Sequence, residues 1–224
     1  MDHSVSEREA GQLVRVSAGP VSLEGNLALP EGAQGVVLFA HGSGSSRFSP
    51  RNRLVAQALQ EGGLGTLLID LLTEEEERID LRTREKRFDI PLLAERLVGA
   101  IDWLRAAPET RDLKIGLFGS STGAGAALMA APRRPDAIGA IVSRGGRPDL
   151  AGPALREVAA PTLLIVGGRD SVVITLNEQA LAQLNVEKRL EIVSGAGHLF
   201  EEPGALEQVS ALARDWFVRH LTVT

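Results

Sequence analysis

The chain contains no cysteine. Disulfides, thiolate metal sites and a cysteine nucleophile are therefore excluded, although the compartment is not fixed by this alone. A basic excess is also missing. Lys and Arg number 24 against 29 Asp and Glu, a net charge of −5, so no positive field draws the chain to nucleic acid. No apolar run approaches the roughly 18 residues of a membrane span, and residues 1–11 (MDHSVSEREAG) are polar, unlike a secretion leader. The expectation is a cytoplasmic protein with no membrane partner. No His/Asp/Glu group has ligand spacing such as H-E-x-x-H, so neither a metal nor a cofactor is expected. Internal repeats and Pro- or Ser-rich linkers are absent. A chain of 224 residues, 44% hydrophobic, suits one domain over 1–224, with 1–11 as a flexible tail.

What is present is an alternation of short β-rich runs with helical patterns. Val14–Ser17 and Val21–Leu29 read as a hairpin, and Val36–Ala40 (VVLFA) as a buried strand. Ser49-Pro50 starts a helix to about Leu59. Strands follow at Thr66–Asp70, Lys114–Gly119, Ala137–Ser143, Thr162–Val166 and Leu190–Val193. Helices are expected after Asp89, over Ser121–Ala131, near Val173–Leu184 and over Pro203–Leu221. The central strands are almost wholly apolar, which requires cover on both faces and hence a mostly parallel sheet. About eight strands result, the first pair antiparallel. Thr73–Asp89 (TEEEERIDLRTREKRFD) stands apart, dense in both charge signs. A solvated loop or surface helix is the expected form, with a lid beside a site as the alternative.

The chemistry centres on Gly119-Ser120-Ser121-Thr122-Gly123, a G-x-S-x-G pattern between a strand and a helix. A sharp strand-to-helix turn would lift the Ser121 hydroxyl out of the sheet and point the first free N–H groups of the helix at developing negative charge. Ser120 occupies an x position and should point elsewhere. A serine nucleophile needs a base, and the base needs an orienting carboxylate. Of four histidines, His3 and His220 lie near the chain ends and are expected to be solvated. His198 follows the last strand, in a loop at the carboxyl end of the sheet. Asp170 ends the Val166–Asp170 turn, where an Asx-turn or helix cap is its plainer role. The order Ser121, Asp170, His198 places each group just after a different strand.

Acyl transfer also needs two N–H donors for the tetrahedral oxyanion. One is expected from the backbone of Thr122. The other is expected from the loop His41-Gly42-Ser43-Gly44-Ser45-Ser46, at Ser43. This loop lacks the G-K-[ST] ending of a phosphate-binding loop. His41 is expected to brace it.

The pieces HGSGSSRFSPRNR, LFGSSTGAG, VSRGGRPDL, LLIVGGRD and GAGHLFEEPG, spread from about residue 14 to 221, resemble the α/β-hydrolase superfamily and within it the dienelactone hydrolase-like group. The resemblance implies an α/β-hydrolase fold, with Ser121 as nucleophile, Asp170 as orienter and His198 as base. Dienelactone hydrolases proper use a cysteine nucleophile, which this chain lacks. The expectation is a cofactor-free serine hydrolase that cleaves a small-molecule ester or lactone through an acyl-enzyme. Alternatives are a silent scaffold used for ligand binding, or the same triad acting on a thioester, amide or peroxide. Arg144 and Arg147, after the sixth strand, are candidate substrate-binding residues. Arg47, Arg51 and Arg53 read as surface charge or ion pairs. The sequence does not give the oligomeric state.

Overall fold

The computed structural model describes residues 11–222. The tail expected at 1–11 therefore falls, apart from Gly11, outside the described residues, as does His3. Eight strands form one sheet: β1 (Gln12–Ala18), β2 (Val21–Ala28), β3 (Gly35–Ala40), β4 (Gly65–Ile69), β5 (Lys114–Ser120), β6 (Ile138–Arg144), β7 (Thr162–Gly167) and β8 (Lys188–Val193). Their order is β1-β2-β4-β3-β5-β6-β7-β8. β2 is antiparallel to both β1 and β4, and every other pair is parallel. This is the mostly parallel sheet that the alternating pattern predicts, with helices on both faces.

Six α-helices accompany it: α1 (Pro50–Glu61), α2 (Glu74–Thr83), α3 (Ile90–Ala106), α4 (Thr122–Ala130), α5 (Ser171–Gln183) and α6 (Ala205–Leu221). One face of the sheet packs on α1 and α6 through Val55, Leu59, Val209 and Phe217, and the other on α3, α4 and α5 through Leu97, Ile101, Leu128 and Ala180. β3, β4 and β7 are buried along their whole length, which explains why they read as unbroken apolar runs. β8 closes one edge, and half of its residues are charged and most partly exposed, a pattern that discourages edge pairing.

The chain leaves β3 toward β4 on one side, then returns to β5 on the other. The carboxyl ends of β3 and β5 therefore flank the point where the winding reverses, and open α/β sheets form their ligand crevices there. The candidate oxyanion loop follows β3, and the Ser121 turn follows β5.

The charged segment 73–89 forms the expected surface helix, but parts of it are buried. Thr73 and Glu76 make a reciprocal capping box at the start of α2, and four glutamates occupy its first turn, where the helix dipole favours them. Asp80 is buried. Its Oδ1 accepts from the N–H groups of Lys86 and Arg87, and its Oδ2 accepts from Arg87 Nε at 2.6 Å. Glu76 bonds Arg96 of α3 at 2.8 Å. These pairs lock the segment against the body of the protein. A second departure is the 3₁₀ stretch Pro148–Glu157, which the sequence pattern does not signal. A third is His220, expected in solvent. Its ring packs on Trp216 with centroids 4.7 Å apart, and burial holds its pKa below the ordinary imidazole range.

Candidate active site

Ser121 sits at φ 51°, ψ −124°, a strained conformation for a residue with a side chain. The turn is tight because its flanking glycines touch backbone. A β-carbon on Gly123 would lie 2.2 Å from the Ala40 carbonyl oxygen, and one on Gly119 would lie 2.4 Å from Ala124 Cα. G-x-S-x-G is thus a packing requirement here. Ser121 stands at the N-cap of α4, yet its side chain makes no capping bond. The helix start instead leaves the Thr122 N–H without an intrahelical partner.

The other two predicted triad residues meet as expected. Asp170 heads α5 but does not cap it; its Oδ2 lies 2.6 Å from His198 Nδ1. The plainer role for Asp170, a helix cap, is therefore not the one its side chain takes. Ser121 and His198 line one cleft of about 240 Å³, together with Gly42, Ser43, Ser45, Ser49, Arg51 and Arg144. The Gly42 backbone presses on the nucleophile turn, since a β-carbon there would stand 3.0 Å from Ser121 Cβ.

The histidine loop is held by a clamp that no sequence spacing reveals. Glu202 accepts the Gly197 N–H at 3.0 Å, which lowers its pKa, and pairs with Arg169 beside the triad acid. The Arg169 N–H in turn donates to the Ala196 carbonyl at 2.9 Å. The acid turn and the base loop are thereby tied at two points.

The loop after β3 is tied to its surroundings by His41. This ring is half-buried, and burial pushes its pKa below the ordinary value. Its Nε2 accepts the Leu71 N–H at 3.1 Å, which leaves Nδ1–H to donate to the Gly42 carbonyl at 2.9 Å. His41 is the brace that the sequence suggests. One expectation needs correction. The Ser43 N–H is not a free donor, because it donates to Thr122 Oγ1 at 2.9 Å. The loop after β3 and the start of α4 are therefore in contact.

The two candidate arginines separate. Arg147 pairs bidentately with Asp149, at 2.8 and 2.7 Å, and does not line the Ser121 cleft. Arg144 is only 7% exposed, and no carboxylate pairs with it among the described residues. Its Nη2 donates to Asn52 Oδ1 at 3.2 Å, and its Nε is buried without a partner. Burial, then the nearby Arg51 charge, pulls its pKa down to about 10. Arg51 pairs with Glu201 at 3.5 Å, Arg47 with Asp70 and Glu24, and Arg53 lies over the Phe48 ring. A buried guanidinium without a carboxylate partner is unfavourable, and Arg144 holds this position in the cleft that Ser121 lines.

No group of three or more His, Cys, Asp or Glu residues suited to a metal occurs among the described residues. No described helix is long and apolar enough to cross a membrane.

Comparison with known proteins agrees with this geometry. A crystal structure of a dienelactone hydrolase from Anabaena variabilis is 64% identical, superposes with a TM-score of 0.93, and covers 95% of this chain and 99% of its own. A serine hydrolase without a lid from Xanthomonas campestris shares the fold at 21% identity, with a TM-score of 0.75 over 95% of this chain and 96% of that one. A Mycobacterium tuberculosis protein named as a candidate phosphoribosyl transferase is 58% identical over 208 residues, which is 93% of this chain but 46% of that protein. The chain thus spans about half the length of the curated relatives it matches. The sequence pattern of the dienelactone hydrolase family covers residues 23–221, from the second strand to the last helix. The chain belongs to the dienelactone hydrolase family of α/β hydrolases.

Proposed function

We propose that the protein is a serine hydrolase for a small ester or lactone that carries a carboxylate. The observation that carries this reading is Ser121 on its strained turn, with no capping bond from its side chain, in the same cleft as a histidine bonded to a half-buried aspartate. Ser121 Oγ attacks the acyl carbon while His198 Nε2 takes its proton. Asp170 holds His198 Nδ1–H and favours the imidazolium that forms. The Thr122 N–H stabilises the tetrahedral oxyanion at once. The Ser43 N–H joins it when the substrate oxygen displaces Thr122 Oγ1. His198 then protonates the leaving alcohol, an acyl-enzyme remains on Ser121, and water activated by His198 releases the acid. In a lactone, alcohol and acid stay joined and the ring opens.

Arg144 provides the substrate preference. A substrate carboxylate would give this guanidinium the partner the protein withholds, worth roughly 1.5–3 kcal/mol or about 10–150-fold in affinity. The phosphoribosyl transferase name belongs to proteins of about twice this length.

The test is labelling with a fluorophosphonate, followed by turnover of paired esters with and without a carboxylate. Covalent label on Ser121 and a lower KM for the anionic ester are expected. A wild-type protein that takes no label refutes the serine mechanism.

A further inference from the structure

A second compartment lies across the oxyanion loop from the Ser121 cleft. Its volume is about 130 Å³, and Gly42, Ser43 and Ser45 line both spaces. On the far side it is walled by the charged segment 73–89, for which the hydrolytic steps have no use. Leu71 and Leu93 form buried parts of the wall, and the exposed Glu77 and Leu81, one helical turn apart on α2, stand at its mouth.

Most polar groups around this space are already satisfied. Both His41 nitrogens are bonded to the backbone. Asp70 is held by the Arg47 backbone and guanidinium. Asp80 is fully engaged by Lys86 and Arg87. Arg87 itself is neutralised by Asp80 and rests against the loop, where a β-carbon on Gly44 would come 3.3 Å from its Nη1. With Arg87 balanced by Asp80 and Arg47 balanced by Asp70, the residual charge at the mouth is the negative Glu77. Such a space repels a carboxylate and accepts a compact neutral group. It is also a fixed wall rather than a swinging lid, because the capping box, the Asp80–Arg87 pair and the Glu76–Arg96 pair anchor the segment.

We propose that this compartment is a subsite for the small uncharged portion of the substrate, so that the scissile bond at Ser121 lies between a carboxylate held by Arg144 and a neutral group held between the oxyanion loop and α2. The size follows from the volume. A cavity of about 150 Å³ accepts benzene, so 130 Å³ suits a group of about five carbons. This inference rests on the hydrolase reading above.

Two ester series test it: 4-nitrophenyl esters of increasing acyl length, and alkyl acetates of increasing alcohol length. In the series whose variable part enters the subsite, kcat/KM rises to about five carbons and then falls about tenfold or more. Leu93 lines the wall from α3. Leu93→Ala should move that limit to longer chains and Leu93→Phe to shorter ones. Opposite shifts in the two variants cannot arise from a general loss of stability. Glu77→Gln should improve turnover of esters whose variable chain ends in a carboxylate, relative to neutral ones. If wild type and both Leu93 variants take the fluorophosphonate label but share one chain-length limit in each series, the subsite is refuted while the serine mechanism stands. If the wild type takes no label, the hydrolase reading itself fails.

Discussion

On one side of the Gly42–Ser45 loop, Arg144 is buried beside Ser121 with an amide as its side-chain partner and a guanidinium nitrogen left bare. On the other side, Arg87 rests against the loop, but a buried aspartate matches it almost completely. The two arginines have opposite consequences. Matched charge builds a wall, and what the wall offers a ligand is shape. Unmatched charge builds a receptor, and what it offers is a partner for an anion. The same contrast recurs three residues apart, where Arg147 is matched by Asp149 two residues on and Arg144, the last residue of β6, is not.

The strongest test of the contrast silences both sides at once. Ser121→Ala should abolish the fluorophosphonate label and lower turnover of charged and neutral esters alike by about 10⁴-fold or more, while Ser120→Ala keeps substantial activity. Label on Ser120 instead would shift the turn by one residue. Next in size is the wall. Asp80→Ala leaves Arg87 without its partner and should reduce stability by about 3–5 kcal/mol, read as a lowered denaturation midpoint. A negligible change would mean that the charged segment is not anchored by this pair.

The receptor side is probed by Arg144→Lys, which keeps a charge but loses the planar fork. KM for the anionic ester should rise roughly 10–150-fold with little change for its neutral analogue. Arg147→Lys should change neither.

The smallest expected effect concerns the brace between the two compartments. Burial lowers the pKa of His41, against the opposing pull of the Gly42 carbonyl, Asp70 and Glu77. The unfolded chain therefore takes up this proton first as pH falls. The stability contribution is fully present above about pH 6.5 and declines below it. His41→Gln should flatten the acid slope of the melting temperature. An unchanged slope would assign the acid sensitivity to other groups, His220 among them.

The parts of the site legible in the sequence are those set by local chain geometry. A turn after β5, β7 and β8 places Ser121, Asp170 and His198 at one end of the sheet, and strand order brings them together. What stayed hidden depends on contacts between distant segments. Ser43 meets the Thr122 hydroxyl across 79 residues, Arg144 meets Asn52 across 92, and no spacing rule encodes either. The Arg147–Asp149 pair and the Thr73-x-x-Glu76 capping box are local, by contrast, and both can be read once sought. The role of segment 73–89 was obscured because its composition resembles a solvated surface. Only the fold shows that Asp80 turns inward.

The backbone at Ser121 has a consequence for how this protein would drift under selection. A conformation with φ 51° suits glycine, and holding serine there costs about 1–3 kcal/mol. Ser121→Gly would relax that strain while deleting the proposed nucleophile. Selection for heat resistance alone, in a laboratory library or in a lineage that no longer needs the reaction, would therefore reward loss of the hydroxyl. A stable, inert ligand-binding descendant lies one substitution downhill from the enzyme, and only a continuing demand for turnover keeps serine at this position.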